Sequence, residues 1–599
     1  MLRASLAPIL LAASIGFSHA TLAAAPADTA FLDGYVYTVD ARDSIQEALA
    51  IRDGRIVFVG SSVGVRQFIG KSTRVTDLHG RLLMPGLVDG HMHPLAGGTQ
   101  LLKCNLNYEA LTVPQFQARI QACLDRTKDA EPDKWLEVVN WFQQNMLPAG
   151  TGVTHATLDV LHTHRPIAVE SSFGHSVLVN KKALDLARIT SASTDPVGGK
   201  IQHDEKGQPN GILEDAAFLA VTGLIPEATP VEKAAAARAA LEAIRKQGIT
   251  SFLDAAASAD IIEAFATAER AGALTARGHF AVLIRPAANI DPTKVVADAK
   301  AVATRYDRGE LQPAPSLTVR NVKLFLDGVI TAPAFTGAML APYFSNQGTP
   351  AAPRWLPGSD RGPAVYFPAP TLRAILLELG KNGLEPHMHA DGDRAVREGL
   401  DAVEALRRQF PESTIRAAIA HDEIMDPADL PRFVQVGAIP VLSYQWEKPA
   451  VDTIDGAQDY LGPTRFKYME PAGYLAAAGA RIAYGSDWPV DPLDEWFALK
   501  VAVTRENAPA AGPKYAGRLS TDVGLSLPAA VRGITANAAY ELHAEQDVGS
   551  LEVGKLADLI VLDRNIFKIP ARQVAATKVL LTVVGGKTVY QASDPAVPP

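Results

Sequence analysis

Two cysteines in 599 residues are too few for a paired CxxC metal site or a disulfide framework. Positive charge is in short supply as well. Lysine and arginine total 57 against 65 aspartates and glutamates, a formal charge of −8. That balance argues against a nucleic-acid protein, because phosphate contacts need a basic face. Past the first 25 residues no apolar run reaches the roughly 20 residues needed to cross a bilayer core. No glycine-rich phosphate loop follows the first strand of the α/β region, which argues against an open dinucleotide-binding sheet. The rest is ordinary globular material: 47% hydrophobic and 20% charged residues exclude a disordered chain. The length calls for more than one small domain.

Residues 1–25, MLRASLAPILLAASIGFSHATLAAA, read as a targeting segment. Arg3 and the free amine form a positive start, Leu6 to Phe17 is an apolar run too short for a membrane anchor, and small residues follow at Ala20 and Ala23–Ala25. With Pro26 next, cleavage is expected at Ala20 or Ala24. The remaining chain is then an exported soluble protein, periplasmic in a Gram-negative source, with no membrane partner after cleavage. In an oxidising compartment Cys104 and Cys123 could close a loop worth about 3 kcal/mol. Cys123 also lies in a helical pattern, QFQARIQACL, and could equally be a buried thiol.

Strand-like segments with DG turns, FLDGYVYTVD and EALAIRDGRIVFVGS among them, recur at the C-terminal end as ADLIVLD and KVLLTVVGGKTVY. Both ends are expected to build one small β-domain, over 26–85 and 543–599. Between them, at 86–542, helices such as PVEKAAAARAALEAIRKQG alternate with short apolar strands such as VKLFLDG, LEPHMHA, AAIAH and RIAYGSD. That rhythm is a parallel α/β fold, read as a closed barrel. Residues 98–235 break the rhythm and are expected to be a large insertion after the first barrel strand.

Chemistry concentrates at strand ends. In PGLVDGHMHP, His91 and His93 are two residues apart and point to one side, which makes half of a metal site. Lys323, His389, His421 and Asp487 each close a later strand. One such residue would be unremarkable, but a row of them at the carboxyl ends of barrel strands is the arrangement of an active site. Trp141, His175 and Trp446 are candidate substrate-binding walls or core residues. Gly60-Ser61-Ser62-Val63-Gly64 matches a serine-nucleophile pattern, but the strand, elbow and helix context is missing.

From MPGLVDGHMHP through VKLFLDG, HADGDRA, the strand-end His421, GSDWPVDPL and GSLEVGKLADLIVLD, the chain resembles the amidohydrolase superfamily, in its amidohydrolase-3 branch. FGHSVLVNKKAL and DPVGGKI extend the likeness into the insertion, although Phe173 stands where relatives often carry an acid. The resemblance implies a distorted (β/α)8 barrel with a flanking β-sandwich formed by both chain ends. It implies one or two divalent metals, usually zinc. By position, His91 and His93 would be ligands from strand one, His389 and His421 from strands five and six, and Asp487 from strand eight. Lys323 matches a lysine that some members carboxylate to bridge two metals; His387 is the second choice on strand five. The implied activity is hydrolysis of an amide-type C–N bond in a small molecule by metal-activated water, with Asp487 as proton carrier. Deaminase or dipeptidase chemistry, or an inactive binding or regulatory barrel, are the alternatives. The sequence leaves homo-oligomerisation open.

Overall fold

The computed structural model describes residues 25–593 except 129–132, 144–145, 149–150, 173–175, 197–198, 216, 288, 333 and 350. The targeting segment therefore lies, up to residue 24, outside the described residues, as does His175.

Eight parallel strands make the central sheet: β1 (Leu87–Met92), β2 (Ile249–Ala257), β3 (Arg277–Ile284), β4 (Leu317–Phe325), β5 (Glu385–Ala390), β6 (Ala418–His421), β7 (Ile439–Leu442) and β8 (Ala483–Tyr484). Neighbours pair in chain order, as the alternation of strands and helices anticipates. Helices return the chain between most of them, and local chemistry sets their ends. In Pro230–Gln247, Thr229 and Glu232 form a capping box, Pro230 opens the first turn, and Gly248 ends the helix at φ 88°. The outward faces of the strands bury Phe252, Phe280, Leu324 and Met388 against helix residues such as Leu241, Ile244, Phe265 and Leu372. The three phenylalanine rings interlock at centroid distances of 5.5 to 6.0 Å.

The barrel shuts between its longest-separated strands. Asp487 N–H donates to the His91 carbonyl and His93 N–H to the Trp488 carbonyl, each at 2.7 Å. Asp89 fastens the same seam from inside, its Oδ1 accepting from His91 N–H at 3.0 Å and Ser486 N–H at 3.1 Å. The approach is close enough to require glycine at position 485, where a Cβ would fall 2.3 Å from His91 Cβ and 2.7 Å from its backbone nitrogen.

Beside the barrel lie two mixed sheets. One, of four strands, is built from residues 29–77 alone. The other has six strands: Leu82–Pro85 lies between Tyr35–Tyr37 on one side and Leu559–Leu562 on the other, and Val579–Val584 and Lys587–Gln591 continue the sheet from the other chain end. Phe31, Leu49, Val36, Leu83, Leu559 and Leu581 fill the space between the two sheets. A buried ion pair, Arg277 to Asp558 at 2.7 Å, ties the start of β3 to this layer.

Between β1 and Pro230 the chain forms its own six-stranded sheet with its own cores. Cys104 and Cys123 are joined in a disulfide, with Cα atoms 5.7 Å apart, linking strand Cys104–Asn105 to helix Val113–Arg126. Trp141 belongs to this insertion's interior: it is 1% exposed and packs on Phe116 at 5.8 Å. It is a core residue rather than a pocket wall, because the sheet face that carries it is covered by the helix bearing Phe116 and Ile120. Ser62 also sits apart from the barrel's chemistry; its hydroxyl accepts from Asp33 N–H and only a 3-10 helix, Gly64–Phe68, follows.

Gly485→Ala should therefore strain the seam. Overpacking of a tight interior contact costs about 1–3 kcal/mol, so the denaturant midpoint should fall by a corresponding amount at unchanged slope. An unaltered midpoint would show that the seam can open to admit a methyl group.

Candidate metal centre

The inward residues at the carboxyl ends of β1, β4, β5 and β6, and of the turn after β8, converge into one buried cluster. Two groups of donors stand out. His91, His93 and Asp487 place one ligand atom each within 4.8 Å of one another, and so do His389, Asp391 and His421. In the first group Asp487 Oδ1 lies 3.1 Å from His93 Nε2 and 3.5 Å from His91 Nε2. In the second His389 Nε2 lies 3.5 Å from Asp391 Oδ1. Ring contacts make the groups continuous: His91 meets His421 at a centroid distance of 4.6 Å, and His421 meets His389 at 4.7 Å.

The alternation rule of a strand explains the convergence. Lys323 is in register with His387, and Phe325 with His389. Lys323 is fully buried, with its Nζ 3.3 Å from His91 Nε2 and 4.6 Å from the Phe325 ring centroid. Strand β6 ends in an unusual conformation: His421 has φ 84° and Asp422 φ 52°, and Asp487 has φ 52° as well. Left-handed backbone at non-glycine residues costs energy, and two of the donors, His421 and Asp487, bear it. Trp446 stacks on His421 at 5.3 Å, nearly parallel, and is half-buried, so it walls this side of the site.

Burial dominates the electrostatics. It pushes the His91, His387 and His421 imidazoles well below their ordinary pKa, with Lys323 opposing charge on the first two and His389 on the third. Burial also lowers Lys323 to about 8, against the pull of Asp487, Asp391 and Asp254. The carboxyls move the other way. Burial raises Asp89 to about 7, and it raises Asp391 well above the usual range, helped by neighbouring Glu423 and Asp327. Imidazoles beside a cluster of buried carboxyls make a donor set suited to a cation.

Every barrel residue picked out from the sequence lies in this cluster: His91, His93, Lys323, His389, His421 and Asp487. Two more carboxylates join them that the sequence reading passed over. Asp391 completes the second donor group. Asp327 Oδ1 sits 3.4 Å from His389 Nδ1, and its carboxylate accepts the backbone N–H groups of Ala338, Asp391 and Gly392 at 2.8 to 3.0 Å. A partial signal exists: just past its strand Asp327 continues the period of two of Lys323 and Phe325, as Asp391 continues that of His387 and His389.

The residues fit a metal. Asp487 Oδ1, Asp391 Oδ1, His389 Nδ1 and His421 Nδ1 are buried without a hydrogen-bond partner among the described residues, an expense that a bound ion would remove. A tetrahedral ion with ligands at about 2.0–2.1 Å has ligand–ligand edges of about 3.3 Å, which matches the 3.1 and 3.5 Å separations around Asp487. Imidazole and carboxylate together suit zinc and similar divalent ions.

Comparison with known proteins agrees with this geometry. A model described as amidohydrolase family matches residues 74–590. The chain is similar to the protein LONG AFTER FAR-RED 3 of Arabidopsis thaliana, 27% identical over 576 residues that cover 94% of this chain and 92% of that one. It is similar to the N-substituted formamide deformylase of Arthrobacter pascens, 24% identical over 585 residues, 94% of this chain and 98% of the other. Its fold matches that of an uncharacterised metal-dependent hydrolase from Pyrococcus horikoshii OT3, with a TM-score of 0.69, 21% identity, and coverage of 91% and 99% of the two chains. With a parallel barrel carrying donor residues at its strand ends, and a family match over most of its length, this chain belongs to the amidohydrolase family and is a hydrolase.

Proposed function

We propose that the protein hydrolyses an amide-type C–N bond of a small molecule, using one or two divalent metals, zinc first among them. The observation that carries this reading is the pair of buried donor groups at the barrel mouth. The similarity to an N-substituted formamide deformylase points to the same class of bond.

His91, His93 and Asp487 would hold one ion, and His389, His421 and Asp391 a second. A divalent ion there supplies Lewis acidity toward the substrate carbonyl and lowers the pKa of water from 15.7 toward about 7. Asp487 does the proton work. Its carboxylate is buried beside His91 and His93, so the oxygen not given to the ion can take the proton from the attacking water and hand it to the departing amine. The strained turn that carries Asp487 is fixed by Ser443, whose hydroxyl donates to the Gly485 carbonyl at 2.8 Å, and by Gln445, whose side chain donates to the Ser486 carbonyl at 2.6 Å. Trp446 gives a flat apolar wall beside His421 for the acyl or amine portion. His175 remains a candidate on the insertion side.

Lys323 enters as a carbamate. Lowered to about 8 by burial, its amine is neutral often enough near neutral pH to attack CO2. The new N–C bond with loss of a proton leaves an anionic oxygen donor beside His91. Export is part of the same reading: residues 1–25 have the pattern of a signal peptide, and the Cys104–Cys123 disulfide suits an oxidising compartment.

Elemental analysis should find one or two equivalents of metal in zinc-supplemented protein. The His91→Ala/His93→Ala variant should stay folded by circular dichroism and lose the metal of the first donor group. Removing bicarbonate should lower activity, and the intact mass should rise by a carboxylate when CO2 is present. A double variant with full metal content, or full activity with unmodified Lys323, overturns the respective assignment.

Asp487→Asn keeps the shape of the turn and removes the proton acceptor. Turnover on N-formyl and other N-acyl amines should drop by about 10²–10⁴-fold, with KM changing less. Near-wild-type turnover would pass the proton work to another group.

In its native host the protein should be recovered from the periplasmic fraction with a new N-terminus just after Ala20 or Ala24. An intact Met1 on the mature protein would rule out cleavage.

A further inference from the structure

Behind the first donor group lies a second line of buried polar residues that the proposed reaction does not use. His387 Nε2 is 2.8 Å from His91 Nδ1. The other ring nitrogen of His387, Nδ1, is 3.1 Å from Glu541 Oε1. His387 and Glu541 are both fully buried and His91 is 1% exposed. Among the described residues neither Glu541 oxygen has a hydrogen-bond partner and no lysine or arginine pairs with it. The three residues come from distant parts of the chain: His91 from β1, His387 from β5, and Glu541 from the helix Ala538–Glu541 that follows the barrel. Room for the carboxylate is made by Gly90, where a Cβ would fall 2.2 Å from Glu541 Oε2.

We propose that Glu541 and His387 are positioning residues that hold His91 as a metal ligand through its Nε2 atom. An imidazole can bind through either nitrogen, and the choice is set by what the other nitrogen meets. In this arrangement the 2.8 Å approach of His91 Nδ1 to His387 Nε2 is made with the proton on His91 Nδ1, and His387 Nδ1 stands 3.1 Å from Glu541 Oε1 as an ion partner rather than through an aligned hydrogen bond. His91 Nε2 is left facing Asp487 and Lys323. The row Glu541–His387–His91 thus fixes tautomer and ring orientation together. It also explains a costly arrangement. A carboxylate buried beside Asp89, with a histidine as its ion partner, burdens the fold unless a cation sits at the far end of the row. The bland alternative, a structural ion pair between two barrel-floor residues, gives no reason for that cation-poor setting.

The inference rests on the metal-dependent reading above, and the test separates the two. Zinc affinity of the purified full-length protein is measured by competition with a chromophoric chelator, for wild type, Glu541→Leu, Glu541→Gln and His387→Phe. Thermal midpoints are taken with and without zinc. Outer partners of a ligand histidine are typically worth 10–100-fold in metal affinity. Glu541→Leu and His387→Phe should lose about that much for one equivalent of zinc. Glu541→Gln, which keeps an acceptor oxygen, should lose less. The zinc-free midpoint of the Glu541 variants should hold or rise while the zinc-induced increase shrinks. If Glu541→Leu does not fold, Glu541→Gln carries the comparison. Wild-type zinc affinity in the variants, or a lower zinc-free midpoint with an unchanged zinc-induced increase, overturns the proposal and leaves the metal-dependent reading standing. A wild-type protein that binds no zinc or other divalent ion overturns both.

Discussion

The β1–β8 seam is where architecture and chemistry share atoms. Its main-chain hydrogen bonds run from Asp487 N–H to the His91 carbonyl and from His93 N–H to the Trp488 carbonyl. Three of these four residues, His91, His93 and Asp487, supply the first donor group. Closing the barrel therefore sets the backbone separation of the donors, and side-chain rotamers do the rest. A barrel closed elsewhere, or one residue out of register, would turn His91 and His93 to the outer face and into the helical layer. Gly485 and Gly90 serve this one requirement from opposite sides, the first admitting the His91 backbone and the second the Glu541 carboxylate.

The price of the seam is electrostatic. Asp89, Asp391, Glu423 and Glu541 are buried in or behind the site, and burial raises all four. The local cations, Lys323 and a set of imidazoles held neutral, do not offset them. A fold stabilised only by its own contacts has little reason to keep such groups. They make sense when a divalent ion supplies the missing positive charge, and binding energy is then returned to the fold. Metal binding and stability are thus expected to be coupled most tightly at the seam, since that is where donors and closure coincide.

Much of this was legible in the chain. Alternating apolar strands and helices disclosed the barrel, and the stretch after residue 98 where that rhythm breaks contains a separate six-stranded sheet. Donors read one at a time from strand ends, His91 to Asp487, do meet. Two things were less visible, for physical reasons. Asp327 and Asp391 follow the same period of two as Lys323 and His389, but they lie just past the strands, where the chain begins to turn and a linear pattern loses its authority. Glu541 is beyond reach of any such rule. It lies on a helix after the last barrel strand, 154 positions from His387 by numbering, and only tertiary packing brings it under Gly90. Trp141 shows the opposite failure: an aromatic near a mouth is a fair wall candidate, yet the insertion has a core of its own to fill.

That separate core bears on how specificity is built. The insertion has its own sheet, its own disulfide and two apolar clusters distinct from the barrel's. Among the described residues, two of its contacts lie beside the site. One is Tyr108, whose hydroxyl donates to the Pro489 carbonyl at 3.1 Å, two residues beyond Asp487. Another is helix Pro94–Leu102, where Gly97 lies flat against Trp488. A layer that stands on its own packing can change its surface without loosening the seam, whereas a change at the seam alters donors and barrel together. A rigid layer that holds reactive groups beside a separately packed layer whose surface can vary is a division that lets one scaffold serve many substrates.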